Sequence, residues 1–328
     1  MIFLITVILI LICVFFIFSD SSLNLLFWSV VGRNKEGRRC HDKVIWIVGA
    51  STGIGEELAL RIASYGPLLI LSARRPALLE EVARKCREKN ASCRVKVLQM
   101  DIADVKNLGK KAREADSMFS RKVDKVFLVA GRSQRAEITD IDPEVDLECF
   151  TVNALGPAQL SREILKIRGL HPTNDNFDEI QFTVISSVAA YLPSILSPSY
   201  GAAKAALNQY FRLLGVEMGE RGVKVSIVSP ALVYAPNNPH AAFTGRFGET
   251  NGEMVTRSNS HMTPHRAAHL ISLAAANDIH ESWISSSRFV LFLLYVYMIF
   301  PGISARIINA VGSEKLRRVR TGGVEMQI

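Results

Sequence analysis

Val44-Ile45-Trp46-Ile47-Val48 runs without interruption into Gly49-Ala50-Ser51-Thr52-Gly53-Ile54-Gly55. Five consecutive apolar residues suit a strand covered on both faces, as in a parallel sheet. Glycines permit a tight turn and close backbone approach, and a helix-sized stretch, residues 56–65, comes next. Amides at the start of a helix receive phosphate oxygens, so this order predicts a dinucleotide pyrophosphate site at Gly49, Ser51, Gly53, Ile54 and Gly55. It is not a P-loop, because no Gly-Lys-Ser or Gly-Lys-Thr closes the turn. Standing alone such a turn is as readily a packing device; residues farther along the chain decide between the two.

The alternation repeats outward from this point. Apolar runs at 68–71, 95–100, 126–129, 182–185 and 223–228 predict strands, and stretches 77–90, 108–119, 145–167 and 202–221 predict the helices between them. The pattern predicts an α/β fold, a Rossmann-like doubly wound parallel sheet flanked by helices, with an N-terminal membrane anchor. Residues 2–18 are apolar except for Thr6, at the short end of what crosses hydrocarbon as a helix. No basic residue precedes that run and no small-x-small site follows it, which favours a retained anchor over a cleaved signal peptide. The expected organisation is an anchor and juxtamembrane segment at 1–32, a charged connector at 33–42, and one nucleotide-binding α/β domain at 43–288 that includes an irregular lobe near 235–264. An apolar helix and basic extension follow at 289–328.

Strand ends two to four carry the next signals. After the second strand comes Ser72-Ala73-Arg74-Arg75, where arginine neutralises a ribose 2'-phosphate and an acidic residue would instead bind a free 2'-hydroxyl. Arg74 is the first choice for such a contact and Arg75 the second; a solvated charge pair is the alternative. The cofactor expected is NADP(H). Asp101 ends the third strand, placed either toward an adenine edge or as a turn acceptor. Small Ala130 and Gly131 end the fourth and admit a cofactor closely.

Ser187 follows a strand, and Tyr200 and Lys204 stand four residues apart in Tyr-Gly-Ala-Ala-Lys. That spacing puts both on one helical face. A nearby ammonium favours phenolate, making Tyr200 usable as a proton donor or acceptor, while Ser187 hydrogen-bonds a substrate oxygen. Lys204 also reaches a nicotinamide ribose.

Together, the Gly49–Gly55 turn, Ser187, Tyr200 and Lys204 resemble the classical short-chain dehydrogenase/reductase family over residues 42–235, with Val48 where the family usually has threonine. The resemblance implies catalytic roles for Ser187, Tyr200 and Lys204, a proton-relay role for Asn153 in Thr151-Val152-Asn153-Ala154, and a cofactor contact at Pro230. It departs in Leu128-Val129-Ala130-Gly131, where the family's paired asparagines are lost, and in Pro230-Ala231 in place of Pro-Gly. Phe243-Thr244-Gly245, His261-Met262-Thr263, Trp283-Ile284-Ser285 and the apolar stretch 289–300 resemble the membrane-associated dehydrogenase/reductase member seven branch. That branch implies an endoplasmic-reticulum enzyme acting on lipophilic carbonyls or alcohols such as steroids or retinoids. A noncatalytic nucleotide-sensing or scaffold protein is the alternative. Classical relatives also imply a homodimer.

A net charge of +8 and a pI near 9.3 attract nucleic acid or anionic membrane. The charge gathers at Arg33, Lys35, Arg38 and Arg39 and at Lys315, Arg317, Arg318 and Arg320, without zinc-finger spacing or an aromatic RNA-binding signature. Membrane lipids are the expected partner and nucleic acid is not. The basic cluster after the anchor favours a cytosolic catalytic body, whereas the Asn90-Ala91-Ser92 sequon leaves lumenal placement open. Five dispersed cysteines lack a CxxC pair and do not cluster with histidines, so neither disulfide nor metal is expected.

Overall fold

The computed structural model describes residues 19–31, 35–169, 179–234, 242–251, 261–314 and 316–317. The anchor expected at 2–18 lies outside them; among the described residues no helix is long and apolar enough to cross a membrane.

Seven strands form one parallel sheet: β1 (Val44–Val48), β2 (Leu68–Ala73), β3 (Arg94–Gln99), β4 (Lys125–Leu128), β5 (Ile180–Ile185), β6 (Val223–Pro230) and, after a two-stranded lobe of β7 (Ala242–Phe243) and β8 (Thr250–Asn251), β9 (Glu281–Ile284). Their order is β3-β2-β1-β4-β5-β6-β9. β1 is buried throughout and serves both sides: Val44, Trp46 and Val48 enter one core, Ile45 and Ile47 the other. Its indole finds a partner, Trp46 Nε1 donating to Ser72 Oγ at 2.8 Å. One face carries α3 (Gly53–Ala63), α4 (Pro76–Lys89) and α9 (Pro264–Ala276), and the other α5 (Leu108–Ser117), α7 (Gly156–Ile167) and α8 (Pro198–Met218). Strand order reverses between β1 and β4, which opens a crevice beyond their carboxyl ends.

Three segments differ from the sequence expectation. The helix predicted at 145–167 is α6 (Pro143–Phe150) joined to α7 through a π-helical turn, Thr151–Leu155, whose wider winding turns Asn153 inward. Within the connector a short helix, α2 (Lys35–Cys40), forms because buried Glu36 pairs with Arg61 at 2.8 Å. Helix α1 (Leu23–Val31), in the segment expected to be juxtamembrane, buries Leu25 completely in the core that α9 helps build. Just before it, Ser21 makes an antiparallel bridge with Ile284, and Ser22 N donates to Trp283 O at 2.9 Å, so this segment covers the β9 edge.

After β9 come α10 (Arg288–Ile299) and α11 (Pro301–Val311). They do not share the main cores. Leu291, Leu293, Leu294 and Ile308 pack with Tyr191, Leu192 and Trp283 in a separate cluster, which joins the C-terminal helices to the loop after Ser187.

Candidate active site

The crevice holds a cavity of about 360 Å³. Gly49, Ser51, Gly53, Ile54 and Gly55 line it at the glycine turn, Arg74, Arg75 and Asp101 after β2 and β3, and Ala130 and Gly131 just past the end of β4. Glycine is required in the turn: Gly49 sits at φ +97°, where a Cβ would stand 2.5 Å from Ala130 N, and a Cβ on Gly55 would stand 2.0 Å from Gly49 O. Phosphate groups would meet bare backbone at the start of α3, and the cradle fits a dinucleotide.

Arg74 is exposed on the cavity rim and its guanidinium makes no ion pair among the described residues. Arg75 caps the start of α4 and donates to Ser51 Oγ at 3.4 Å. Asp101 lines the cavity, and its Oδ1 accepts from Ala103 N at 2.9 Å, the turn-acceptor bond among its two sequence expectations. Pro230 is buried at the end of β6 and does not line this cavity, where Val233, three residues on, does.

The cavity's inner wall meets the second group of residues. A Cβ on Gly131 would lie 2.9 Å from Asn153 Oδ1 and 3.3 Å from Lys204 Nζ, so both polar groups converge on this glycine. Asn153 is wholly buried and fixed: its Nδ2 donates to Arg132 O at 2.8 Å and Cys149 O at 2.9 Å, and its Oδ1 accepts from Arg132 N at 3.0 Å. Lys204, buried on α8, donates to Ile185 O at 2.9 Å and stands 5.8 Å from the Tyr200 ring. Burial pushes its ammonium down to about 8, because the charged form loses water without gaining a carboxylate. Ser187 caps the short turn Val188–Ala190, its Oγ accepting from Ala189 N at 3.1 Å. Residues from the π-turn, the end of β5 and α8 are therefore gathered at one end of the sheet.

Sequence reading missed Arg132. It lines the cavity, lies 3.8 Å over the Phe243 ring and pairs with Glu148 at 3.3 Å, tying the β7–β8 lobe to α6. Its position directly after Ala130-Gly131 was the available signal. The four described cysteines, Cys40, Cys86, Cys93 and Cys149, are buried free thiols. Among the described residues no group of His, Cys, Asp or Glu is placed to hold a metal.

A model of the short chain dehydrogenase family matches residues 43–242. The chain is 30% identical over 311 residues to "Dehydrogenase/reductase SDR family member 7" of Homo sapiens, spanning 94% of this chain and 88% of that protein. It is 26% identical over 253 residues to "11-beta-hydroxysteroid dehydrogenase A" of Sesamum indicum, spanning 76% and 67%. Among solved structures, a short-chain dehydrogenase from Streptomyces avermitilis superposes with a TM-score of 0.64 at 22% identity, covering 87% of this chain and all (100%) of that one. An alcohol dehydrogenase from Thermococcus sibiricus, complexed with 5-hydroxy-NADP, gives 0.62 at 21% identity, covering 76% and 98%. Both structures share the fold.

Proposed function

The chain belongs to the short-chain dehydrogenase/reductase family, enzymes that bind a nicotinamide cofactor, and on that premise we propose that it is an NADP(H)-dependent oxidoreductase of lipophilic ketones or aldehydes, or of the corresponding alcohols. The observation that carries this reading is the convergence of Asn153 and Lys204 on Gly131 at the inner wall of the nucleotide cavity, with Tyr200 beside Lys204. Gly49, Ser51, Gly53, Ile54 and Gly55 would hold a nicotinamide cofactor in that cavity, and its chemistry there would be hydride exchange with the substrate carbon. Tyr200 gives a proton to the substrate oxygen, or receives one, and the Lys204 cation favours its phenolate. Ser187 donates to the same oxygen. Asn153 holds the Arg132 backbone and keeps the strand end in place.

Support for NADP(H) comes from Arg74, a cation on the rim where the second strand ends that makes no ion pair among the described residues. The plant relative's name refers to a hydroxysteroid, which supports a steroid-like or other lipophilic substrate. Apolar residues 2–18 support attachment to the endoplasmic-reticulum membrane. Exposed Leu155, Leu213 and Val216 at α7 and on α8 support a homodimer through those helices.

Turnover of a retinal, a ketosteroid and a long-chain ketone with NADPH and NADH tests the proposal, each repeated with Tyr200→Phe. Turnover by the wild type that disappears in the variant supports it. No turnover across the panel overturns the substrate class.

A further inference from the structure

We propose that α1, α10 and α11 present one face that lies in the surface of a lipid bilayer, with an acyl chain seated between α1 and α10. The inference rests on the membrane attachment proposed above and adds a second, peripheral contact made by the folded domain itself.

Leu23, Phe27 and Val31 recur every four residues on α1 and are 54%, 58% and 61% exposed, while Leu25 on its opposite side is fully buried. α10 and α11 repeat the pattern. Leu291 and Leu294 point into the protein, and Phe289, Met298, Ile299, Phe300 and Ile303 are each at least half exposed. So many large apolar side chains on neighbouring elements exceed what scattered surface hydrophobes explain.

The two sets meet. Leu23 N donates to Tyr295 Oη at 2.8 Å, and Leu23 and Met298 line one open cavity of about 380 Å³ together with Trp283 and Tyr295, the rest of its lining being polar (Ser22, Asn24, Glu281 and Ser282). This junction stands where the apolar residues 2–18 lead into the described chain. Charge selects a bilayer over a second copy. From Arg288 to Val311 the sequence has no acidic residue, and exposed Arg288 and Arg306 make no ion pair among the described residues, as suits anionic headgroups.

The full-length protein is labelled with an environment-sensitive fluorophore at Met298→Cys or Ile303→Cys, with Lys110→Cys on the exposed surface of α5 as control. The described native thiols do not compete, since burial pushes Cys40, Cys86, Cys93 and Cys149 up to between about 11 and about 12; Cys13 is replaced by alanine. In vesicles of phosphatidylcholine with a minority of phosphatidylserine, nitroxide-labelled lipids quench the probes at 298 and 303 at least twofold more than at 110. Equal quenching at all three positions overturns the proposal. So does energy transfer between labelled copies in place of lipid quenching, which assigns the face to a second protomer. A carbonate wash of the same vesicles separates the two readings: protein retained while 298 and 303 stay in water keeps the anchor and rejects this face, and protein released with quenching lost rejects both. Quenching without carbonyl turnover leaves the face standing and rejects the substrate class.

Discussion

The Lys204 ammonium, buried on α8, donates to the main-chain carbonyl of Ile185 at 2.9 Å. That bond ties the helix bearing Tyr200 to the strand end two residues before Ser187. It also leaves a cation that meets no carboxylate among the described residues.

Lys204 therefore links stability to pH. Its value falls from 10.5 to about 8 because burial disfavours the charged form. Between those values the unfolded chain holds a proton that the folded one lacks, so this group's contribution to stability rises with pH from about 8 to 10.5 and is flat outside that window. Lys204→Met should abolish this share. Denaturation midpoints of wild type and variant, compared across the window without cofactor, check it; parallel pH dependences would refute it.

Tyr200→Phe keeps the ring and removes the proton. Hydride transfer should fall roughly 100- to 10,000-fold, the range of general acid–base catalysis. Nucleotide affinity, measured by calorimetry with NADP+, should stay within about a factor of three, less than the loss of one net hydrogen bond. A variant with normal turnover would remove Tyr200 from the chemistry.

Asn153→Ala should destabilise the domain by about 1–3 kcal/mol, because the Arg132 amide and the Arg132 and Cys149 carbonyls lose a buried partner. Chemical denaturation measures this. Turnover should fall with it, as the Arg132 segment beside Gly131 loosens; an unchanged midpoint would mean that the backbone finds other partners.

Much of this was legible in the chain because it rests on local pattern. Continuous apolarity marked β1, and Tyr200 and Lys204 share a helical face by spacing alone. β9 was not counted among the strands: Glu281-Ser282-Trp283-Ile284 is four residues with two polar ones, and Glu281 is held by a tertiary ion pair with Arg212. The π-turn at Asn153 was equally hidden, since its register depends on bonds to Arg132, 21 residues earlier in the sequence. Glu36 looked like linker charge until Arg61, 25 residues later, was placed beside it.

Arg74→Ala should weaken NADP+ binding roughly 10- to 100-fold, the worth of a charge-assisted hydrogen bond to phosphate, and leave NAD+ nearly unchanged. Competition between 2',5'-ADP and 5'-AMP isolates the phosphate. Unchanged selectivity would move the contact to Arg75 or Arg132, which line the same cavity.

Glu281 should control the loop after Ser187 in a pH-dependent way. The Tyr191 hydroxyl donates to its carboxylate, and Arg212 grips the same group through Nε at 3.0 Å and a terminal nitrogen at 2.8 Å. Burial alone would raise the carboxyl, but the bonds from Arg212 and Tyr191 and the Arg212 charge outweigh it and hold Glu281 below the ordinary 4.5. A depressed carboxylate contributes stability that is present above 4.5 and lost as pH falls through the lower folded value. Tyr191 and Leu192 pack with Trp283 and the C-terminal helices, so losing this tie frees the segment that leads from Ser187 toward Tyr200. Because Arg212 is 40% exposed, solvent screens the pair and Glu281→Gln should cost only about 1 kcal/mol. Hydrogen exchange of amides 188–192 should quicken in the variant at neutral pH, and in the wild type only on acidification below 4.5. The expected kinetic signature is a raised KM with nucleotide affinity intact, since the loop follows Ser187 and does not line the cavity at the glycine turn. Exchange at 188–192 identical in both proteins across this range would show that the hydrophobic cluster alone holds the loop.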